Sequence, residues 1–151
     1  MNDVVIRQAR EDDLPAIVAL LIDDELGGQR ESTADLQPYR DAFARIAADS
    51  NQLLVVMERG AEIVGTQQLT FIPGLSFKGA VRAQIEAVRI RADLRGSGLG
   101  TRLIEWAIAE ARRRDCFLVQ LSSNNIRLDA HRFYTRLGFE ASHTGFKRKL
   151  G

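Results

Sequence analysis

The sequence predicts an α+β domain: a single twisted mixed sheet with helices on both faces. Three observations predict it. Apolar residues recur at helical spacing in some stretches and at strand spacing in others. The predicted elements run β-α-α-β-β-β-α-β-α-β, with strands in runs rather than in strict alternation with helices. The 151 residues, 45% hydrophobic and 27% charged, are enough for one ordinary core. Residues 1–151 read as one domain, with no repeat, linker or low-complexity stretch.

Val4 to Gln8 is the first strand. Glu11-Asp12-Asp13 places acids where a helix begins, and Pro15 falls in its first turn. Leu14, Ile17, Val18, Leu21 and Ile22 form the apolar face of that helix, which ends toward Gly27-Gly28. Pro38 to Ala48 predicts a second helix on the stripe Tyr39, Phe43 and Ile46. Leu53 to Met57 and Ile63 to Phe71 are strands around the turn Arg59-Gly60-Ala61-Glu62, and Pro73-Gly74 closes the second. Ala80 to Ile90 is a long strand. Leu99, Leu103, Trp106, Ala107 and Ala111 define an amphipathic helix over residues 99–114, and 117–121 is a short buried strand. Asp129 is the expected N-cap of a helix running to Leu137 and stopped by Gly138. A final strand pair is expected over 139–141 and 145–150.

Composition removes several function classes. Lys and Arg total 21 against 20 acids, a net charge of +1, so a dedicated nucleic-acid binder is not expected. The basic run Arg112-Arg113-Arg114 lies in a last helical turn, where cations favour the helix dipole. A single cysteine, Cys116, excludes an internal disulfide and reads as a core residue in a reducing compartment. His131 and His143 have no metal-ligand spacing around them, so no metal is expected. No signal peptide and no apolar run of about 18 residues is visible, so a cytoplasmic protein without a membrane span is the expectation.

The chemistry concentrates in Arg95-Gly96-Ser97-Gly98-Leu99-Gly100-Thr101, between a strand and a helix. Alternating glycines there imply backbone that is sharply bent or closely approached. The first amides of the following helix have no intrahelical partners, and the helix dipole favours an anion, so the segment suits a pyrophosphate. Arg95 and Thr101 add a guanidinium and a hydroxyl. A Walker loop would need a lysine before Thr101, where Gly100 stands. A dinucleotide fingerprint would need glycine at Thr101 and an acid near Gln120. Both are excluded.

Arg95 to Gly100 resembles the Arg/Gln-x-x-Gly-x-Gly/Ala signature of the GNAT superfamily of N-acetyltransferases. The likeness extends through Val5-Ile6-Arg7, Asp13-Leu14-Pro15, Glu62-Ile63-Val64-Gly65 and Phe133-Tyr134-x-x-Leu137-Gly138-Phe139. It implies the GNAT fold, a split central strand pair and acetyl-CoA as cosubstrate. Val88, Arg89 and Ile90 would pair their backbone with the pantetheine arm, and residues 95–101 would hold the pyrophosphate. Tyr134 matches the tyrosine that protonates the departing thiolate, and Glu86 the glutamate that serves as general base, usually through water. Burying that acid in an apolar strand would otherwise be costly. Asn124 resembles the asparagine that bonds the pantetheine amides, with Asn125 competing for the role. Leu121-Ser122-Ser123-Asn124 followed by Arg127-x-Asp129-Ala130-His131-Arg132-Phe133-Tyr134 is similar to the aminoalkylphosphonate N-acetyltransferases.

The acceptor stays open. Asp23, Asp24 and Glu25 could attract an amine or be a solvated helix end, and Arg30 and Arg40 could take an anionic tail. The expected activity is transfer of acetyl from acetyl-CoA to a primary amine of a small molecule or peptide. The competing reading is a non-catalytic acyl-CoA-binding regulator. The resemblance also implies a homodimer.

Overall fold

The computed structural model describes residues 3–23 and 27–151. Its strands are β1 (Val4–Gln8), β2 (Gln52–Arg59), β3 (Glu62–Pro73), β4 (Val81–Ile90) and β5 (Leu118–Leu121). Its helices are α1 (Leu14–Ile22), α2 (Gln37–Ala47), the short α3 (Ser76–Gly79), α4 (Leu99–Arg113) and α5 (Leu128–Arg136). The strands form one sheet in sequence order, β1-β2-β3-β4-β5. All neighbours are antiparallel except β4 and β5. That parallel pair requires a crossover, and α4 supplies it.

Each face of the sheet is closed by different helices. On one, Leu69, Phe71, Ala83 and Ile85 pack against Ile104, Ala107 and Ala111 of α4, with Phe133 and Tyr134 of α5 and the following Leu137 alongside. The same layer continues through Val55, Met57 and Val64 against Leu99 and Leu103. On the other, Val56 meets Ile17 and Leu21 of α1 and Phe43 of α2. The pattern of the sequence therefore carries through to packing: apolar residues at alternate strand positions and at helical spacing meet face to face. Gly65 marks a close approach within the sheet. A Cβ there would lie 2.9 Å from Ile90 Cδ1 and 3.2 Å from the Arg89 carbonyl, so a larger residue would push the Ile90 side chain and the end of β4 away from β3.

Asp13, read as a helix-start acid, does more than complement a dipole. Its side chain is buried, takes two bonds from the Arg7 guanidinium at 2.8 and 2.9 Å, and accepts from the Arg10 amide at 2.7 Å. The pair ties β1 to the start of α1, and Arg7 reaches on to Glu58 of β2 at 3.4 Å. The Arg7 hydrogen bonds hold the Asp13 carboxyl below its usual range, against the opposing effect of burial. Breaking a buried pair from one side leaves the other charge uncompensated, so Asp13→Asn should cost about 3 kcal/mol. The sign of the pH effect follows from the lowered value. The stabilisation is present above the unfolded carboxylate value of about 3.9 and is lost as pH falls below it. Thermal melts should show the wild type losing stability below about pH 4 more steeply than the variant; parallel curves would refute the assignment.

Three sequence expectations need correction. Residues 139–151 carry no regular structure, so the expected strands at 139–141 and 145–150 do not form. A strand needs a hydrogen-bonded neighbour, and this segment has none among the described residues. Asp129 is not the N-cap: α5 starts at Leu128, with Arg127 at the cap position. Asp129 falls instead in the first turn, where it pairs with Arg132. The turn after Pro73-Gly74 is also tighter than a plain strand end, since Phe77 and Lys78 in α3 take left-handed backbone at φ 53° and 60°. Phe77 stacks on Phe117 at 4.7 Å between ring centroids.

Candidate active site

The site begins where the sheet opens. β4 and β5 pair from Arg82↔Leu118 to Ile85↔Leu121, where β5 ends. β4 continues to Ile90, paired only with β3. Just past the last shared rung, Ala87 takes φ 54°. Between the Gln68↔Glu86 and Thr66↔Arg89 pairs, β4 carries one residue more than β3, which is a bulge. The bulge resets the alternation. Val88 and Ile90 pack in the layer with Leu99 and Leu103, which leaves Glu86 and Arg89 on the opposite face. Over Val88, Arg89 and Ile90, β4 thus pairs with β3 on one edge, while its other edge has no strand partner among the described residues. Two of their carbonyls accept side-chain bonds: Val88 from Arg89 Nη1 at 2.9 Å and Ile90 from Arg95 Nε at 3.3 Å.

The glycine segment follows directly. A short 3-10 turn at Ala92–Leu94 leads to Arg95, and Ser97 Oγ donates to the Leu94 carbonyl. Gly98 caps α4 in left-handed backbone at φ 88°, a conformation costly for most other residues. A Cβ at Gly96 or Gly98 would meet nothing within 4 Å, so the loop surface is open to an approaching group. Leu99 is buried and anchors the first turn, and Gly100 lies close under the Phe133 ring of α5. Thr101 is half-buried on the same turn. The arrangement presents helix-start amides and the positive end of the dipole to an anion. These residues fit a pyrophosphate-bearing ligand.

Arg95 lies back across the end of β4. Its Nη2 donates to the Asp23 carbonyl at 2.8 Å, and Asp23 Oδ2 accepts from the Ala92 amide at 3.3 Å. This ties the end of α1 to the glycine segment, a contact between residues far apart in sequence that no local pattern reveals. Asp24 and Glu25 lie outside the described residues.

Glu86 is exposed, which corrects the expectation of a buried acid. It stands in a polar row on the α1 side of the sheet. Gln84 Nε2 donates to Glu86 Oε1 at 3.2 Å, and Gln120 Nε2 donates to Gln84 Oε1 at 2.8 Å. On β3, Gln68 and Thr70 both donate to Gln52 Oε1. Sequence reasoning missed these glutamines, although the alternation Arg82, Gln84, Glu86 against Ala83 and Ile85 carried the signal.

Tyr134 packs in the layer that includes Val88, with Phe133 and Phe139 edge-on at 5.2 and 5.8 Å. Burial pushes its hydroxyl up, while the charges of Arg127 and Arg89 pull the other way. The phenol therefore keeps its proton at neutral pH, close enough to Arg89 of β4 to feel its field. Asn124 sits in the loop after β5. Its Oδ1 accepts from the Ile126 amide at 3.0 Å, and its carbonyl takes bonds from the Arg127 amide and His131 Nε2. Its side chain thus shapes the entry to α5, and Asn125 lies exposed in the same turn. Cys116 packs against the core and burial raises its thiol, as a structural cysteine should behave. Among the described residues no cluster of three or more His, Cys, Asp or Glu could hold a metal ion. No helix among them is long and apolar enough to cross a membrane.

Comparison with known proteins agrees with this geometry. Residues 14–139 match the model of the acetyltransferase (GNAT) family. The aminoalkylphosphonate N-acetyltransferase of Salmonella typhimurium is 32% identical, across 96% of this chain and 90% of that protein. An L-methionine sulfoximine/L-methionine sulfone acetyltransferase of Pseudomonas aeruginosa is 31% identical, across 91% of this chain and 80% of that protein. Among solved structures, a transcriptional regulator from Bacillus halodurans superposes with a TM-score of 0.92 at 46% identity, covering 97% of this chain and 99% of that one.

Proposed function

Because this chain belongs to the GNAT family of acetyltransferases, we propose that it moves the acetyl group of acetyl-CoA onto the primary amine of a small molecule. The observation that carries the reading is the coincidence of three features at one end of β4: pairing with β5 stops at Leu121, the bulge falls at Ala87, and the glycine segment follows at once. When bound, acetyl-CoA supplies an activated acyl group on a thiol leaving group. The amides of residues 96–101 and Arg95 hold its pyrophosphate, the backbone of Val88, Arg89 and Ile90 pairs with its arm, and Asn124 meets its amides. Glu86, through water, takes the proton that the ammonium must lose before nitrogen can attack. Tyr134 gives its phenolic proton to the departing sulfur.

The guanidinium of Arg89, on the Glu86 face, suits an acceptor whose amine sits near an acidic group. The acceptors named for the Salmonella and Pseudomonas relatives, an aminoalkylphosphonate and amino-acid derivatives, have that character. The deciding experiment is calorimetric titration with acetyl-CoA followed by a thiol-release screen over aminoalkylphosphonates, amino acids and simple amines. Binding with thiol release on one class supports the proposal, and absence of acetyl-CoA binding defeats it. The description of the Bacillus halodurans relative as a transcriptional regulator keeps a second reading in play, that of a non-catalytic acyl-CoA binder. Binding without thiol release on any amine would favour it.

The homodimer belongs to this proposal too. The far edge of β5 carries no strand among the described residues, and Phe117 beside it is exposed. The same chain offers an irregular tail with Phe146 and Leu150 over 90% exposed. An unpaired edge and an irregular tail that exposes Phe146 and Leu150 are complementary across two copies. Sedimentation equilibrium should give twice the mass of 16.8 kDa, and a monomer at tens of micromolar would refute the dimer.

A further inference from the structure

We propose that Gln84 is a positioning residue for the general base, itself fixed by Gln120, so that a two-amide relay from β5 aims the Glu86 carboxylate. The inference rests on the assignment of Glu86 as base and adds the residues that orient it. Glu86 is the first residue of β4 beyond the last rung shared with β5, Ile85↔Leu121. No β5 residue stands beside it, and the bulge begins at its C-terminal neighbour Ala87. A carboxylate at such a point needs an anchor in the ordered part of the sheet.

The relay supplies one. Gln84 and Gln120 face each other across the parallel ladder one rung before it ends. Gln120 Nε2 donates to Gln84 Oε1 at 2.8 Å, which turns the Gln84 amino group toward Glu86, where it donates at 3.2 Å. The polarity has one workable sense. An ionised carboxylate only accepts, so Gln84 must present its NH2, and its carbonyl must then find a donor, which Gln120 provides. On the β3 side, Gln68 opposite Glu86 gives its amino group to Gln52, so this neighbour is committed elsewhere. The other charged groups on this face of β4 are Arg82 and Arg89. Gln68, Thr70 and Gln120 on the flanking strands are neutral, and α1 contains no titratable side chain.

Holding a base in its productive orientation affects turnover more than binding, since a small misplacement of a catalytic group lowers the rate without loosening the substrate. A double-mutant cycle in steady-state kinetics separates this role from a structural one. Gln84→Leu should lower kcat about tenfold, with the KM for acetyl-CoA and for the amine within about twofold of wild type. Glu86→Gln should lower kcat about a hundredfold. The double variant should be no slower than Glu86→Gln alone, because an orienting residue has nothing left to orient. Gln120→Leu keeps Gln84 and removes only its lock, and should cost about threefold, again vanishing in the Glu86→Gln background. That variant carries the test if Gln84→Leu folds poorly. Losses that multiply would show Gln84 acting independently of Glu86 and overturn the relay while leaving the base in place. A raised amine KM at unchanged kcat would make Gln84 an acceptor contact, which also overturns it. A Glu86→Gln enzyme at wild-type rate would remove the base assignment itself, and the relay with it.

Discussion

Gly98→Asp should abolish acetyl-CoA binding, raising Kd by more than about a hundredfold, as calorimetry would read it. Two effects combine. Gly98 stands at φ 88° at the head of α4, and its Cα faces open space where a Cβ would meet no protein atom. Aspartate tolerates left-handed backbone better than most residues, so the fold should survive. Its carboxylate would occupy the mouth of a site whose only attraction is for anions, and like charges at contact distance repel strongly. Gly98→Asn isolates the charge: it has the same shape and the same tolerance of positive φ, and should weaken binding by no more than about tenfold. If the aspartate variant binds within about threefold of wild type, the pyrophosphate is held elsewhere.

Tyr134→Phe should bind acetyl-CoA and amine normally and lower kcat by about a hundredfold, the lower range for removing a general acid. The ring contacts with Phe133 and Phe139 survive the change, so stability should hold. The direction of the hydroxyl shift sets the pH behaviour. Burial raises it above the ordinary tyrosine value of about 10, so the proton needed for the sulfur is present throughout the neutral range. Wild-type kcat should therefore show no alkaline loss from this group below about pH 10. An unchanged rate in the phenylalanine variant would take Tyr134 out of the reaction. A raised KM for acetyl-CoA at unchanged kcat would recast it as a cofactor contact.

Several features of this protein are legible in its amino-acid sequence alone. Val4 to Gln8 and the start of α4 at Leu99 fall where hydrophobic periodicity and glycine place them, because both depend on neighbours a few residues apart. The glycine segment is legible for the same reason: its chemistry is a strand, a turn and a helix start, all within residues 90–101. The existence of four main helices and of the β2–β3 hairpin follows likewise from local pattern.

What the tertiary structure decided depends on partners far apart in the chain. Arg7 with Glu58, Gln84 with Gln120, and Arg95 with Asp23 are separated by 51, 36 and 72 residues. No periodicity announces such pairs, since polar side chains at exposed strand positions look alike until the sheet sets their register. Glu86 shows this most clearly. Its sequence neighbours suggest an acid buried in an apolar strand; in the fold it is an exposed carboxylate, because it alternates with the buried Ala83 and Ile85 onto the open face, and the bulge at Ala87 then brings Arg89 onto that same face. The C-terminal segment shows the converse. Its alternation is enough to suggest strands, but a strand exists only when another backbone satisfies its hydrogen bonds, and within this chain none does among the described residues. Sequence determined the elements whose hydrogen bonds and apolar stripes close locally; long-range pairing decided the register, the gap beside β4 and the row of side chains that faces it.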